Sequence, residues 1–514
     1  MSIEEFDLGV LVAATVLVVA VVAVRLAAST GTPSLLLYLA LGVALGEDGL
    51  GVQFDDYELT RVLGYGALVL ILVEGGLTTR WSSVRDAVAP AAALATVGTG
   101  VSVAVVAVAG HWLLDLPWAQ ALLLGAVVSS TDAAAVFSVL RRVPLPRRLN
   151  GLLEAESGFN DAPVVIAVVA LSEHLDGTSS MPWWALVLLA LVELVGGAAL
   201  GGALGWLSGR WLRAVALPSS GLYPIAVLGL CGMAYGIAVQ AHLSGFIAVY
   251  VAALVLGNAE LPHRQAVRGF AEGVGWLSQI GLFVLLGLLV SPSELYAQLL
   301  PALLVGVVLA LVARPLSVLA SVTWFRVPLR EQVLLSWGGL RGAVPIVLAT
   351  VPVVAGVPGS EALVELVFVL VVVFTLLQAP TLPGLAARLG LARDEAVDLE
   401  VESSPLGALG AEVLQVRVGP GSRLHGLEVF ELRLPRGADV SLVVRGGEAM
   451  VPEARTALRH GDDLLVITLA GVRTATEDRL RALSEAGRLA AWRAAAAPTA
   501  PAPARRRALR HLGR

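Results

Sequence analysis

Lysine is absent from this 514-residue chain: all 35 lysine-plus-arginine positions are arginine, and histidine occurs only seven times. Charged residues make up 15% of the chain, against roughly a quarter in soluble domains. Hydrophobic residues make up 57%, and the mean hydropathy is positive. These proportions exclude a purely soluble globular protein and require a polytopic membrane protein over most of the length. The single cysteine, Cys231, excludes a disulfide framework and a thiolate metal site. There is no His/Cys cluster, no nucleophile–base–acid set and no phosphate-cradling loop, so nothing points to an enzyme, a bound cofactor or a nucleic-acid partner. The acidic start, MSIEEFD, lacks the basic region of a cleavable signal, and the first apolar run is expected to stay as a helix. The net charge of −5 says little about partners, because it is unevenly spread. The first 390 residues are apolar runs broken by short polar loops, and the remainder has a soluble composition.

A helix crosses the hydrocarbon core of about 30 Å in about 20 residues. Thirteen stretches approach that length: 8–27, 33–47, 60–79, 88–110, 117–140, 148–171, 183–209, 220–239, 242–258, 270–290, 297–325, 330–355 and 360–387. The loops between them alternate in charge. One set carries Arg80 and Arg85; Arg141, Arg142, Arg147 and Arg148; Arg210 and Arg213; Arg264 and Arg268; Arg326 and Arg330; Arg388 and Arg393. The six alternate loops hold no arginine. The positive-inside rule then predicts an odd number of crossings in a bacterial inner membrane, with the N-terminus outside and the C-terminal part in the cytoplasm. The expected fold is an all-α membrane domain over 1–390, a linker over 391–402, a small α+β domain over 403–472, and a helix with an Arg/Ala/Pro tail over 473–514.

Charges at membrane depth are costly and mark function by default. The fifth stretch carries SSTDAAAV, with Thr131 and Asp132. The sixth carries ESGFNDAPVV, with Glu156, Ser157, Asn160 and Asp161, preceded by Glu154. The eleventh carries Arg314 and the twelfth Arg341. Glu74 and Glu193 stand alone in theirs, either snorkelling to an interface or functional. Glu154 is close enough to Arg147 and Arg148 to form a plain surface pair. Asp161 lies near the middle of its helix with no cation in its own turn, which makes it the leading candidate. Ser157 and Asp161 are four apart and share a face, whereas Glu156 and Asp161 differ by roughly 140°. One carboxylate can therefore be paired permanently while the other stays exchangeable. Arg314 is the candidate partner of Glu156, since an unpaired arginine at that depth is expensive.

The twelfth stretch, SWGGLRGAVPIVLATVPVV, contains Gly339, Arg341, Gly342 and two prolines, which predicts a broken helix. STDAA predicts a second break in the fifth. Interrupted helices seven apart cross in opposite senses, as in an inverted repeat, and such pairs point to a transport site at the midplane. Gly197, Gly201, Gly205 and Gly209 form a face suited either to packing within the chain or to a dimer contact.

These residues resemble a known family. ESGFNDAPVV is similar to the ExxxND signature of the monovalent cation/proton antiporter-1 superfamily, STDAAAV to its threonine–aspartate motif, VARPLSV to its membrane arginine and GGLRGAVPI to its glycine–arginine motif. PSLLLYLALGVALGEDGLGVQFDD resembles the bacterial potassium/proton branch. The resemblance covers about residues 5–390. It implies thirteen helices in an ion-carrying bundle and a homodimerising bundle within the lipid bilayer. It implies Asp161 as the shared cation and proton site, with Ser157 and Thr131 as oxygen ligands to a monovalent cation. It further implies Asn160 and Asp132 as orienting or capping groups and Glu156–Arg314 as a structural pair. Gly158, Phe159 and Pro163 depart from common members. Asn160 stands where electrogenic relatives carry a second aspartate, which implies one-for-one, electroneutral exchange of a monovalent cation for H+; the branch resemblance favours K+, with Na+ as the alternative.

The residue chemistry agrees: a hard monovalent cation takes oxygen ligands, and proton and cation compete for one negative charge. Loaded with either, Asp161 is neutral and can move; empty, it is penalised. Residues 403–472 read as short alternating strands with turns between them (EVLQVRV, LRLPRGADVSLVVRGGEAM, DDLLVIT), with a short helix at SRLHGLEVFEL. They resemble the RCK or TrkA C-terminal regulatory subdomain, and no glycine-rich dinucleotide fingerprint accompanies them. A channel regulated by this domain is the rival reading, although no TVGYG-type filter repeat is present.

Overall fold

The computed structural model describes residues 3–30, 33–140, 145–178, 182–293, 295–391, 401–406 and 411–489. Arg141, Arg142 and Arg393, most of the expected linker and the Arg/Ala/Pro tail lie outside these residues. The chain divides into two compact units, Met1–Arg393 and Asp394–Arg514.

The first unit is helical. Each apolar stretch coincides with a helix or with a pair of helices: α1 (Ile3–Thr30), α2 (Ser34–Leu45), α3 (Tyr57–Thr78), α4 (Val88–Leu114), α5a (Trp118–Val127) and α5b (Ala133–Leu140), α6 (Arg147–Leu175), α7 (Trp183–Ala214), α8 (Leu222–Gln240), α9 (Gly245–Asn258), α10 (Arg264–Leu288), α11 (Leu295–Phe325), α12a (Leu329–Trp337) and α12b (Ala343–Val354), and α13 (Ser360–Gln378). Seven of them are long and apolar enough to cross a membrane by length and composition alone. α6 is long enough too, but its own acids and arginines lower its hydropathy, which is the signature of a helix that faces protein rather than lipid.

Proline and glycine decide the local breaks. Pro33, Pro117, Pro146, Pro182 and Pro328 each stand immediately before a helix, where a fixed φ and a missing N–H cost nothing. α4 and α11 each contain a π-helical segment, Leu94–Gly98 and Leu309–Ala313, and the two helices cross with Gly98 against Ser317 and Ser321. A π segment inserts one extra residue into the turn and rotates the next side chains around the helix axis; Arg314 comes directly after the segment in α11. The glycine face of α7 is used inside the chain. Gly197 lies on Ser244, the N-cap of α9, and Gly201 and Gly205 lie on Ala248 and Ala252 of α9, so close that a Cβ at Gly201 would strike the Ala248 backbone. The dimer-contact alternative for that face is thereby overturned, because α9 already occupies it.

The second unit holds a five-stranded antiparallel sheet, β1 (Val401–Leu406), β2 (Ala411–Arg417), β3 (Ala438–Arg445), β4 (Glu448–Met450) and β5 (Asp463–Leu469), in the order β1-β2-β5-β3-β4. Leu414, Val416, Val443, Leu464 and Val466 form its buried face, covered by Leu480 and Leu483 of α14 (Arg473–Ala486). The expected helix at SRLHGLEVFEL is a single 3₁₀ turn, Val429–Leu432, held by a capping box between Glu428 and Glu431. Gly426, at φ 78°, and Leu427 precede it without helical pairing, so the apolar spacing there serves burial rather than a helix.

Candidate functional site

α5 and α12 are both interrupted, over 128–132 and 338–342, and the two interruptions cross. A single backbone bond ties one to the other: Asp132 N donates to the Leu340 carbonyl at 2.9 Å. Four half-helix ends converge here, and charged side chains answer them. Asp132 Oδ1 accepts from Ala135 N at 3.3 Å, capping α5b, while its carboxylate lies against Gly342 at the start of α12b. A negative group suits both helix N-termini. Arg341 Nη1 donates to the carbonyls of Ser129, at 2.6 Å, and of Ser130, just beyond the end of α5a. Arg314 Nη2 donates to the Leu335 carbonyl at 3.3 Å, near the end of α12a. Cations suit helix C-termini. The glycines of GGLRG are the room these charges need. A Cβ on Gly339 would lie 2.6 Å from Arg314 Nε, and one on Gly342 would overlap the Asp132 carboxylate.

α6 passes beside the crossing. Glu156 is buried in a two-pronged pair with Arg314, at 2.5 and 2.9 Å. Asp161, also buried, accepts a hydrogen bond from Ser130 Oγ at 2.6 Å and has no arginine or histidine partner among the described residues. Asn160 Nδ2 donates to Thr131 Oγ1 at 2.6 Å, tying the amide to the α5 break. The two carboxylates therefore sit in opposite circumstances: Glu156 is neutralised by a fixed cation, Asp161 is not.

A cavity of about 500 Å³ reaches Asp161. Thr131, Asp132, Ser157 and Asp161 line one part; Glu74, Thr79, Glu154 and Glu272 line another. Glu154, Ser157, Gly158 and Asp161 all face it from α6, the i, i+3, i+4, i+7 spacing of one helical stripe. Glu154 is thus not the surface partner of Arg148: it hydrogen-bonds the Thr79 hydroxyl, while Arg148 reaches the Phe325 carbonyl at 3.4 Å. The Glu74 side chain lies on Gly275 of α10 and also faces the cavity. Glu193 is not part of it; that residue is half-buried on α7, where its carbonyl accepts from Ser244 N. Pro163 is accommodated inside a continuous α6, and nothing in the structure assigns it a role.

Ser130, Tyr250 and Glu272 line or support the site, and sequence reasoning does not single them out. Ser130 stands next to Thr131 in SSTDA, and that adjacency is the one signal that could have found it as a donor. Glu272 and Tyr250 sit on α10 and α9, and nothing in their own segments ties them to Asp161. Among the described residues, no three histidine, cysteine, aspartate or glutamate side chains converge to hold a metal. One unpaired carboxylate surrounded by hydroxyls and an amide is a donor set suited to a proton or a monovalent cation, which needs less negative charge than a divalent ion.

Comparison with known proteins agrees with this geometry. Residues 13–388 match the family described as "Sodium/hydrogen exchanger, transmembrane", and residues 413–478 match the TrkA-C domain. The chain is 36% identical over 476 residues to the K(+)/H(+) antiporter NhaP of Alkalimonas amylolytica, covering 90% of this chain and 82% of that protein. It is 37% identical over 478 residues to the K(+)/H(+) antiporter NhaP2 of Shewanella sp. (strain MR-4), covering 91% and 81%. It is 30% identical over 313 residues to the Na(+)/H(+) antiporter NhaH of Halobacillus dabanensis, covering 58% and 75%. Among solved structures, the sodium proton antiporter MjNhaP1 of Methanocaldococcus jannaschii at pH 8 superposes with a TM-score of 0.65 at 24% identity, over 75% of this chain and 99% of that one, and so shares the fold.

Proposed function

Since this chain belongs to the sodium/hydrogen exchanger family and carries a TrkA-C domain, we propose that it is a secondary antiporter exchanging a monovalent cation for H+ across a bacterial inner membrane. The observation that carries the reading is Asp161: a buried carboxylate facing a cavity, bonded to a serine hydroxyl and paired with no cation among the described residues. Proton or cation neutralises it in turn. Ser157 and Thr131 supply neutral oxygens, Asn160 and Asp132 hold the α5 break, and Glu156–Arg314 ties α6 to α11.

The loaded carboxylate carries no net charge and passes the barrier, whereas the empty one is held back by the cost of charge in hydrocarbon. This gives alternating access of the elevator type without a separate gate, one cation for one proton, with an amide at Asn160 adding no second charge. K+ is the preferred cation. The potassium/proton relatives align over about nine-tenths of this chain, whereas the sodium/proton relative aligns over 58%. Na+ is the second reading, favoured by that last relative. Thirteen crossings in two inverted halves, an external N-terminus, a homodimer and a cytoplasmic, regulatory TrkA-C domain complete the proposal.

The test is pH change inside proteoliposomes offered K+, Na+, Li+ and Rb+ in turn. Saturable exchange with K+ most effective is expected. Exchange that survives Asp161→Asn would refute the central assignment, and flux driven by voltage alone would refute the one-for-one stoichiometry. Single-channel currents would favour a channel. Removal of the residues after about 400 should alter ion or pH dependence and leave exchange in place.

A further inference from the structure

The cavity face of α6 carries two carboxylates, seven residues and therefore about 10 Å apart along one side of the helix. Asp161 is at one end. At the other, Glu154 hydrogen-bonds the hydroxyl of Thr79, whose side chain is buried where α3 gives way to the Arg80 loop. Between them lies Gly158, with the ring of Tyr250 directly on it: any Cβ there would overlap the Tyr250 ring. Phe159 holds the same ring edge-on, at 5.7 Å between centroids and 84°. Gly158 and Phe159, two of the residues that depart from common family members, are thus the seat of a tyrosine supplied by α9.

The Tyr250 hydroxyl is the anomaly. The residue is only 2% exposed, it lines the cavity, and its hydroxyl finds no well-aligned hydrogen bond: Thr79 lies within reach but bonds Glu154, which is also close by. A buried hydroxyl without a well-formed hydrogen bond is costly. The seat built by Gly158 and Phe159 nevertheless holds it there. Glu74 and Glu272 face the same cavity and offer further carboxyl oxygens to it. A partly hydrated monovalent cation would satisfy the whole group. It would take a lone pair of Tyr250 and an oxygen of Glu154, and its remaining waters would accept the phenolic proton.

We propose that Tyr250, Thr79 and Glu154 form an entry site for a partly hydrated monovalent cation, two helical turns before Asp161. The proposal deepens the antiport reading and rests on it for its role in transport, but not for the binding itself. An ion held here has shed part of its shell before it meets Ser157 and Asp161, so the dehydration cost is divided between two stations.

The experiment is Tl+ binding to the purified, full-length protein carrying Asp161→Asn, which removes the inner carboxylate and leaves the entry site. Residual Tl+ binding is expected. Adding Tyr250→Phe, which keeps the ring on Gly158 and deletes only the oxygen, should weaken it about tenfold; adding Glu154→Gln should abolish it. In the otherwise intact chain, Tyr250→Phe should raise the apparent KM for cation about fivefold when the cation is offered from the side of the Arg80 loop, and much less from the opposite side. The proposal is overturned if Asp161→Asn protein binds no Tl+, or if Tyr250→Phe leaves that binding or the sided KM unchanged. Failure of the intact chain to exchange would instead sink the antiport reading, with the binding result still deciding this one.

Discussion

Breaking the Glu156–Arg314 pair should be the most informative single perturbation of the membrane unit. Both side chains are almost sealed from solvent, at 3% and 5% exposed, and they meet through two hydrogen bonds of 2.5 and 2.9 Å. Removing one partner of such a pair leaves a buried, uncompensated charge, which costs about 3–5 kcal/mol. Arg314→Met also withdraws a cation from the Leu335 carbonyl, so it should lie at the upper end, and Glu156→Gln, which can still accept one hydrogen bond, at the lower. With an unfolding entropy of about 2.1 cal/mol/K per residue over a unit of 393 residues, this corresponds to a fall of about 4–6 °C in melting temperature. The double variant Glu156→Leu/Arg314→Met replaces the pair by apolar groups of similar size and should recover most of the loss. The assay is thermal unfolding of the purified protein in detergent, as a double-mutant cycle, with cation/proton exchange measured in parallel. Single variants shifted by less than about 1 °C, or a double variant as unstable as the two singles combined, would refute the view that this pair is a strut.

Gly342→Ala places a Cβ into the Asp132 carboxylate and should abolish exchange and sharply reduce the folded yield, as seen by size-exclusion chromatography; Gly384→Ala, where a Cβ meets open space, should do neither. Gly201→Val should separate α7 from α9 and cost on the order of 2–3 kcal/mol, read as melting temperature. In the second unit, burial opposes ionisation of Asp462. The hydrogen bonds from Arg445 and from Arg459 N, with the charges of both arginines, outweigh it and hold the carboxyl below its ordinary range. A lowered folded-state pKa means that the stabilisation is present above about pH 4 and is lost as pH falls through the lower, folded value. Asp462→Asn should therefore lower protection of β3 and β5 amides from hydrogen exchange at neutral pH by about 1.5–3 kcal/mol and remove much of their acid sensitivity.

The parts of the site that are legible in the sequence are those where a residue type contradicts its surroundings. Asp161 and Glu156 stand out because acids are rare in apolar helices, and the α12 break because GGLRG cannot propagate a helix. Arg314 can be matched to Glu156 because each charge needs the other. The hidden part depends on which helices become neighbours. Tyr250 looks like an ordinary apolar-helix residue until α9 is laid on Gly158, and Glu272 like an ordinary helix acid until α10 closes the cavity. Glu154 misleads for a different reason: sequence proximity suggests Arg148, whereas the i, i+7 relation to Asp161 is the stronger geometric signal. The π segments of α4 and α11 have no local marker, because they express a register between crossing helices rather than a residue preference.

The crossing of the two breaks also has an electrical consequence. Asp132, Arg341, Glu156 and Arg314 contribute two negative and two positive charges, each against a helix end or an opposite partner, so their sum is zero. If the bundle moves as the proposed mechanism requires, this fixed set is displaced without electrical work, and of the groups at the crossing the membrane field acts on Asp161 alone. A loaded Asp161 moves at no cost from the field, while an ionised one exchanges about 2.3 kcal/mol with each 100 mV it crosses. An energised membrane, negative inside, would then speed the outward and slow the inward passage of the unloaded carrier only, and the coupled cycle would respond to the pH and cation gradients but not to the voltage.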